Sequence, residues 1–245
     1  MTARSVLASA LLGEDPPVLP VAHLVHLAGL LGINPNRARV ALSRMVASGE
    51  ATTDGSGRYR LSGRLLERRD RQRDSLVGRT DDWDGSWRMV VVTTTGSSAE
   101  QRAVRRRRLA QARLAEQREG VWLRPDNLDR RHDPGGDPDL ATYVAVPGAD
   151  PSLLAAALWD LEGWAVRARA LLDGLGARPT RGPDDLAPGF TLSAAVLRHL
   201  QADPLLPTVL LPAGWPGTDL RSAYVVWDRR YREVLQTWGR ATRPA

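Results

Sequence analysis

Seven residues in the first quarter of the chain have the types and spacing to hold a nucleic acid. Asn36, Arg37, Arg39, Ser43 and Arg44 fall within one helix-period stretch from Pro35 to Ser48. Arg58 and Arg60 alternate along a strand-like stretch from Gly57 to Leu61. A guanidinium is planar, so it can meet a phosphate, or the O6 and N7 edge of guanine, with two parallel hydrogen bonds. Asn and Ser both donate and accept, which suits them to several base edges. On a helical wheel Ala38, Ala41, Leu42 and Met45 share one side. Asn36, Arg39, Val40, Ser43 and Ala47 share the other, with Arg37 and Arg44 at its edge. Small and polar outer residues let a helix approach base edges closely. The alternative for this group is an ordinary solvated face. Arg44 is also the candidate to buttress the fold through a carboxylate.

The elements that must position these residues are legible around them. A helical segment runs from Pro20 to Leu31, a break follows at Gly32–Asn34, and the Arg-studded helix comes next. After it, Thr52–Leu61 reads as two short strands around Asp54-Gly-Ser-Gly57, where positive φ angles make a tight hairpin. This is the order of a winged helix-turn-helix, a module that puts its second helix into a DNA major groove. A first helix over Ala3–Leu12, ended by Gly13 and Pro16-Pro17, completes the unit. Gly49 is placed to end the recognition helix. Arg58 and Arg60 alternate with Tyr59 and Leu61, so they face away from the core and suit phosphate or minor-groove contact.

Composition narrows the partners. The chain has 245 residues, enough for two or three compact units, and a net charge of +6. That charge weakly favours an anionic partner. It carries no Lys and no Cys, so disulfides and Cys-ligated zinc are excluded. The four His residues, His23, His26, His132 and His199, are dispersed, and no metal site is expected. No stretch has the pattern of a signal peptide, and no apolar run approaches ~20 residues. A soluble cytoplasmic protein is expected.

Four regions follow from a pass along the chain: residues 1–63, a winged helix-turn-helix; 64–80, a polar linker helix; 81–161, an α+β domain; and 162–245, a helical C-terminal domain. The linker reads as a solvated helix or as a phosphate contact. In the third region Trp83–Thr95 holds a continuous apolar run suited to a buried strand. A helix is expected over Ala99–Glu119, strands over Gly120–Pro125 and Ala141–Val146, and a helix over Pro151–Leu161. The order βαββα, with a degenerate final strand, suggests a ferredoxin-like sandwich. The last region has helices over Glu162–Leu175, Thr191–Gln201 and Thr218–Trp238, with a Pro/Gly-rich break at Gly176–Gly189. Its segment Asp203–Gly217 is too rich in proline for a regular helix. Arg105-Arg-Arg-Arg108 reads as a solvated helix face, or as a site for DNA or CoA phosphates. Eight tryptophans against one phenylalanine supply core, with an aromatic pocket as the alternative.

Four stretches together carry a resemblance. They are Arg39–Val46 followed by Gly49; Gly57-Arg-Tyr-Arg-Leu-Ser62; Trp83-Asp-Gly-Ser-Trp-Arg88 with Gly120-Val-Trp-Leu-Arg-Pro125; and Asp203–Gly217. In this order the chain resembles the phenylacetic acid degradation repressors, the PaaX-like transcriptional regulators. The resemblance implies an α+β multidomain protein: a winged helix-turn-helix, a central ferredoxin-like domain similar to Cas2, and a helical C-terminal domain. It implies a homodimeric repressor of aromatic catabolism genes on an inverted-repeat operator in double-stranded DNA. The implied effector is phenylacetyl-CoA or another acyl-CoA, with no cofactor and no assignable effector residues. A different small-molecule effector, or a ligand-free dimeric DNA-binding protein, are the alternatives. The Cas2-like fold raises a metal-dependent nuclease as a rival. The first strand, however, runs into Thr93-Thr-Thr95 with no carboxylate, while Asp81, Asp82 and Asp84 precede it. No catalytic residues and no enzymatic activity are expected.

Overall fold

The computed structural model describes residues 1–129, 133–134, 136–178 and 181–241. Two compact units divide the chain. One comprises residues 1–77, 168–201 and 218–245, the other residues 78–167 and 202–217. Residues from the C-terminal stretch therefore fall in both units.

The first unit begins with α1 (Ala3–Leu12), β1 (Val18–Pro20), α2 (Val21–Leu30), α3 (Pro35–Ala47), β2 (Ala51–Thr53) and β3 (Arg58–Leu61). The strands form a sheet in the order β1-β3-β2, both pairings antiparallel. This is a winged helix-turn-helix. β1 was not anticipated: its three residues, one of them a proline, carry too short a pattern to read, and β3 supplies the pairing that defines them. Leu7, Leu11, Leu24, Leu42, Met45 and Leu61 form the core of this region. Arg4 on α1 pairs with Glu50 just beyond α3, its Nε donating to Oε2 at 2.8 Å. That hydrogen bond holds the Glu50 carboxyl below the usual carboxylate range.

α4 (Arg64–Val77) is a helix of almost wholly polar sequence that packs against α1 and α8 (Leu186–Gln201). Leu65 and Ser75 are its buried residues. Arg69 reaches Asp15 at 3.1 Å and the Glu14 carbonyl at 2.7 Å, and Ser75 accepts from Arg221 Nε through its carbonyl at 2.8 Å. α8 starts at Leu186, five residues before the expected Thr191, because Pro188 sits in its first turn, where a missing N–H costs nothing. α9 (Gly217–Ala241) lies against it through Tyr231. Trp227 and Tyr231 have centroids 5.2 Å apart at 11°, and Tyr231 donates to the Leu186 carbonyl at 2.9 Å. A Cβ on Gly189 would stand 2.6 Å from the Tyr231 ring, so only glycine permits this approach.

The second unit is built on a four-stranded antiparallel sheet: β4 (Trp87–Val92), β5 (Ala115–Arg118), β6 (Val121–Pro125) and β7 (Leu140–Ala145). The order β5-β6-β4-β7 is the ferredoxin-like one. β4 and β6 are packed on both faces, which explains the apolar run Met89–Val92. Val90 and Trp122 pack with Leu109 of α5 (Ala99–Gln111) on one face. Trp87 and Leu123 pack with Ala155 of α6 (Pro151–Leu158), Leu161, Leu206 and Leu210 on the other. α7 (Leu161–Ala177) follows.

The expected βαββα order needs correction here. α5 stops at Gln111 and the chain turns through Arg113, at φ +65°, into β5. The sequence 99–119 conceals this because Ala, Arg, Gln and Glu are good helix formers throughout. Pairing of Ala115 with Leu123, and burial of Leu114, override that preference. The strand expected over Ala141–Val146 is β7, which pairs along the whole of β4, and among the described residues no strand follows α6, so the fourth strand of the sheet is β5 and not a degenerate one at the end.

Candidate nucleic-acid interface

α3 is built to expose one face. Asn34 caps it, its side chain accepting from the Asn36 amide at 2.9 Å, and Pro35 opens the first turn. Gly49 ends the region with φ +70°, and the Glu50 amide closes back on the Met45 carbonyl at 2.8 Å. Ala38, Leu42 and Met45 are buried, and Ala41 is half-buried. Asn36, Arg37, Arg39, Ser43 and Arg44 are exposed on the other side, together with Val40 and Ala47. The Ser43 hydroxyl donates to the Arg39 carbonyl at 3.2 Å, four residues back.

The wing is set by Asp54. Its carboxylate accepts from the Ser56 amide at 3.0 Å and the Ser56 hydroxyl at 2.7 Å. Gly55 and Gly57 take φ +78° and +79°. β3 then places Arg58 and Arg60 in solvent and Leu61 in the core, as a period of two requires.

All five arginines of α3 and the wing are exposed, and among the described residues none of them pairs with a carboxylate. Arg44 therefore does not buttress the fold; Arg4 and Glu50 fill that role at the end of α3. Chemically, the arrangement offers fixed planar cations and small polar groups on one helix face, with two more cations on a hairpin. Such groups are complementary to phosphates and base edges.

The run on α5 is arranged differently. Arg105 meets Asp139 at 2.8 Å, Arg106 meets Glu116 at 3.1 Å and Arg108 meets Asp137 at 3.0 Å. Arg108 also donates to the Pro134 carbonyl at 2.8 Å. Arg107 remains exposed to solvent. This face is largely neutralised from within its own unit. Deeper in the unit, Arg124 is 1% exposed and meets Asp133 at 3.1 Å. Burial lowers its pKa from the ordinary value, and Asp133 opposes that shift.

The tryptophans are mostly core. Trp87, Trp122, Trp164 and Trp227 are buried, and Trp83, Trp159 and Trp215 half-buried. Trp164 stacks on Trp215 with centroids 4.4 Å apart. The Trp238 side chain and His132 lie outside the described residues. Among the described residues no three His, Asp or Glu side chains gather as a metal site, and no helix is long and apolar enough to cross a membrane.

Comparison with known proteins agrees with this architecture. Residues 2–65 match the model of the PaaX-like protein family, and residues 80–146 match that of the PaaX protein central Cas2-like domain. No protein among those with curated descriptions matches. The chain is similar to a solved structure described as uncharacterized protein Rv0674 from Mycobacterium tuberculosis. The two are 41% identical, the match covers 96% of this chain and 98% of that one, and the TM-score is 0.74. PaaX-like proteins are regulatory rather than enzymatic. With both family models matched in order over more than half the sequence, the chain belongs to the PaaX-like family of transcriptional repressors.

Proposed function

We propose that this protein is a homodimeric repressor of aromatic catabolism genes, bound to an inverted-repeat operator and released by an aromatic acyl-CoA such as phenylacetyl-CoA. The observation that carries the DNA-binding part is the set of exposed arginines on α3 and the wing, none with an internal carboxylate. α3 enters the major groove with Asn36, Arg39 and Ser43 at base edges and Arg37 and Arg44 at its flanks. Arg58 and Arg60 meet phosphate or the minor groove. One recognition helix reads only a few base pairs, so two copies supply the specificity.

Release requires that the acyl-CoA bind the DNA-free state more tightly than the DNA-bound state, and linkage makes the effect reciprocal. The test starts from a duplex selected by the full-length protein out of a random pool. Light scattering on the complex should show two chains per duplex. Calorimetry should show phenylacetyl-CoA binding weakened by the duplex, with acetyl-CoA binding poorly in both conditions. Equal affinity for the two thioesters removes the aromatic part of the reading, and one chain per duplex removes the dimer.

A further inference from the structure

The first unit holds a cavity of about 1290 Å³, larger than the roughly 300–1,000 Å³ of an ordinary small-molecule site. Its walls come from the winged helix, including Pro35 and Arg39 of α3, and from α4, α8 and α9. No feature of the sequence pointed to it, because its walls are far apart along the chain.

Two chemistries meet in this cavity. One is apolar: Leu27, Leu31, Leu197 and Leu235 line it beside Phe190, the chain's one phenylalanine. Tyr224 and Tyr231 line it too. Their hydroxyls are already engaged, Tyr224 with Ser193 at 2.8 Å and Tyr231 with the Leu186 carbonyl at 2.9 Å. What they offer a guest is ring surface.

The other chemistry is cationic. Arg39, Arg68, Arg69, Arg73, Arg198 and Arg232 line the cavity, against the carboxylates Glu14 and Asp228. Three of these arginines have partners inside the unit. Arg232 meets Asp228 at 2.6 Å, Arg69 meets Asp15 at 3.1 Å, and Arg73 meets Asp15 at 3.7 Å. The side chains of Arg39, Arg68 and Arg198 make no hydrogen bond or ion pair among the described residues. Partial burial, then repulsion from Arg4, Arg198 and Arg71, lowers the Arg68 pKa from its ordinary value. Arg4 and Arg71 have their own carboxylates, Glu50 and Glu67, but Arg68 and Arg198 have none, and an anion placed between these two relieves their repulsion.

We propose that this cavity is the effector site and that it takes an acyl-CoA, the ring-bearing acyl group among Phe190, Tyr224 and the leucines and the phosphates on Arg68 and Arg198. Arg39 belongs to two surfaces, since it stands on the exposed face of α3 and also lines the cavity. A bound phosphate that recruits Arg39 withdraws it from DNA, and this couples the two ligands through one side chain. The assignment rests on the repressor reading for its regulatory consequence, but not for the binding itself.

The experiment is calorimetry on the full-length protein with phenylacetyl-CoA, CoA and phenylacetate, without DNA. Phenylacetyl-CoA should bind tightest. The double variant Arg68→Ala, Arg198→Ala should weaken phenylacetyl-CoA and CoA by roughly tenfold or more and leave phenylacetate unchanged. Ala194→Trp, which fills the apolar part, should weaken phenylacetyl-CoA and phenylacetate instead. Melting curves identify any variant that fails to fold, and Leu197→Ala then replaces Ala194→Trp with the same expected direction. Unchanged phenylacetyl-CoA affinity in the folded variants overturns the site. Absence of phenylacetyl-CoA binding by the parent protein overturns the ligand class. Binding of the selected duplex, measured on the same samples, reports separately on the repressor reading.

Discussion

Arg105, Arg106 and Arg108 on α5 stand within 3.1 Å of Asp139, Glu116 and Asp137, whereas Arg37, Arg39, Arg44, Arg58 and Arg60 in the winged helix stand in solvent. By sequence the α5 run is the denser positive patch. In the fold its field is largely cancelled by carboxylates from β5 and the 126–139 loop, while the sparser set keeps its charge. A guanidinium already satisfied by a carboxylate must break that pair before it can hold a phosphate. One in water exchanges hydration for phosphate at far lower cost. Charge density along a chain is thus a poor guide to an anion site. The supply of internal counter-ions decides it.

Four substitutions break or sharpen this contrast. The largest expected effect is on stability within the paired set. Asp133→Ala leaves Arg124, 1% exposed, without its nearest counter-charge. The expected loss is about 3 kcal/mol of unfolding free energy, read by urea denaturation, while the affinity of the folded fraction for the selected duplex stays the same. A fall in DNA affinity without a fall in stability would reverse the roles assigned to the two sets.

Next comes Arg39→Ala. Loss of a base contact should cost roughly 1–3 kcal/mol on the selected duplex and little on a scrambled one, by fluorescence anisotropy. Arg105→Ala in the same assay should leave both affinities unchanged. If Arg105→Ala weakened DNA binding as much as Arg39→Ala, the internal salt bridges would not be what separates the two sets.

The smallest effect is expected at the wing. Arg58→Ala should weaken selected and scrambled duplexes alike and reduce the slope of log affinity against log salt by about one unit. A sequence-dependent loss with an unchanged salt slope would move Arg58 from phosphate to a base edge.

Much of the winged helix was legible in the chain because its signals are local. Asn34-Pro35 opens α3, Gly49 closes it, Ala38, Leu42 and Met45 repeat at helical spacing, and Asp54-Gly-Ser-Gly57 turns the hairpin. Each acts within four residues or so, through capping, positive φ or side-chain period. Strand β5 was not legible, since its residues prefer helix and only the β6 edge reverses them. The Arg4–Glu50 pair spans 46 residues and replaced the buttress expected of Arg44 for a similar reason. Neither partner carries a local mark of the other.

The sequence by itself determined the winged helix-turn-helix, the outward face of α3, the outward arginines of the wing and the family. All of these follow from spacing along one short stretch or from ordered motifs. Only the tertiary structure decided which arginines keep their charge and where a cavity forms beside α3. Both depend on groups brought together from distant segments: Asp137 and Asp139 against α5, and Phe190, Arg198 and Tyr224 against the winged helix. Electrostatic pairing and enclosed volume are properties of distances in space, and those distances exist only once the chain has closed on itself.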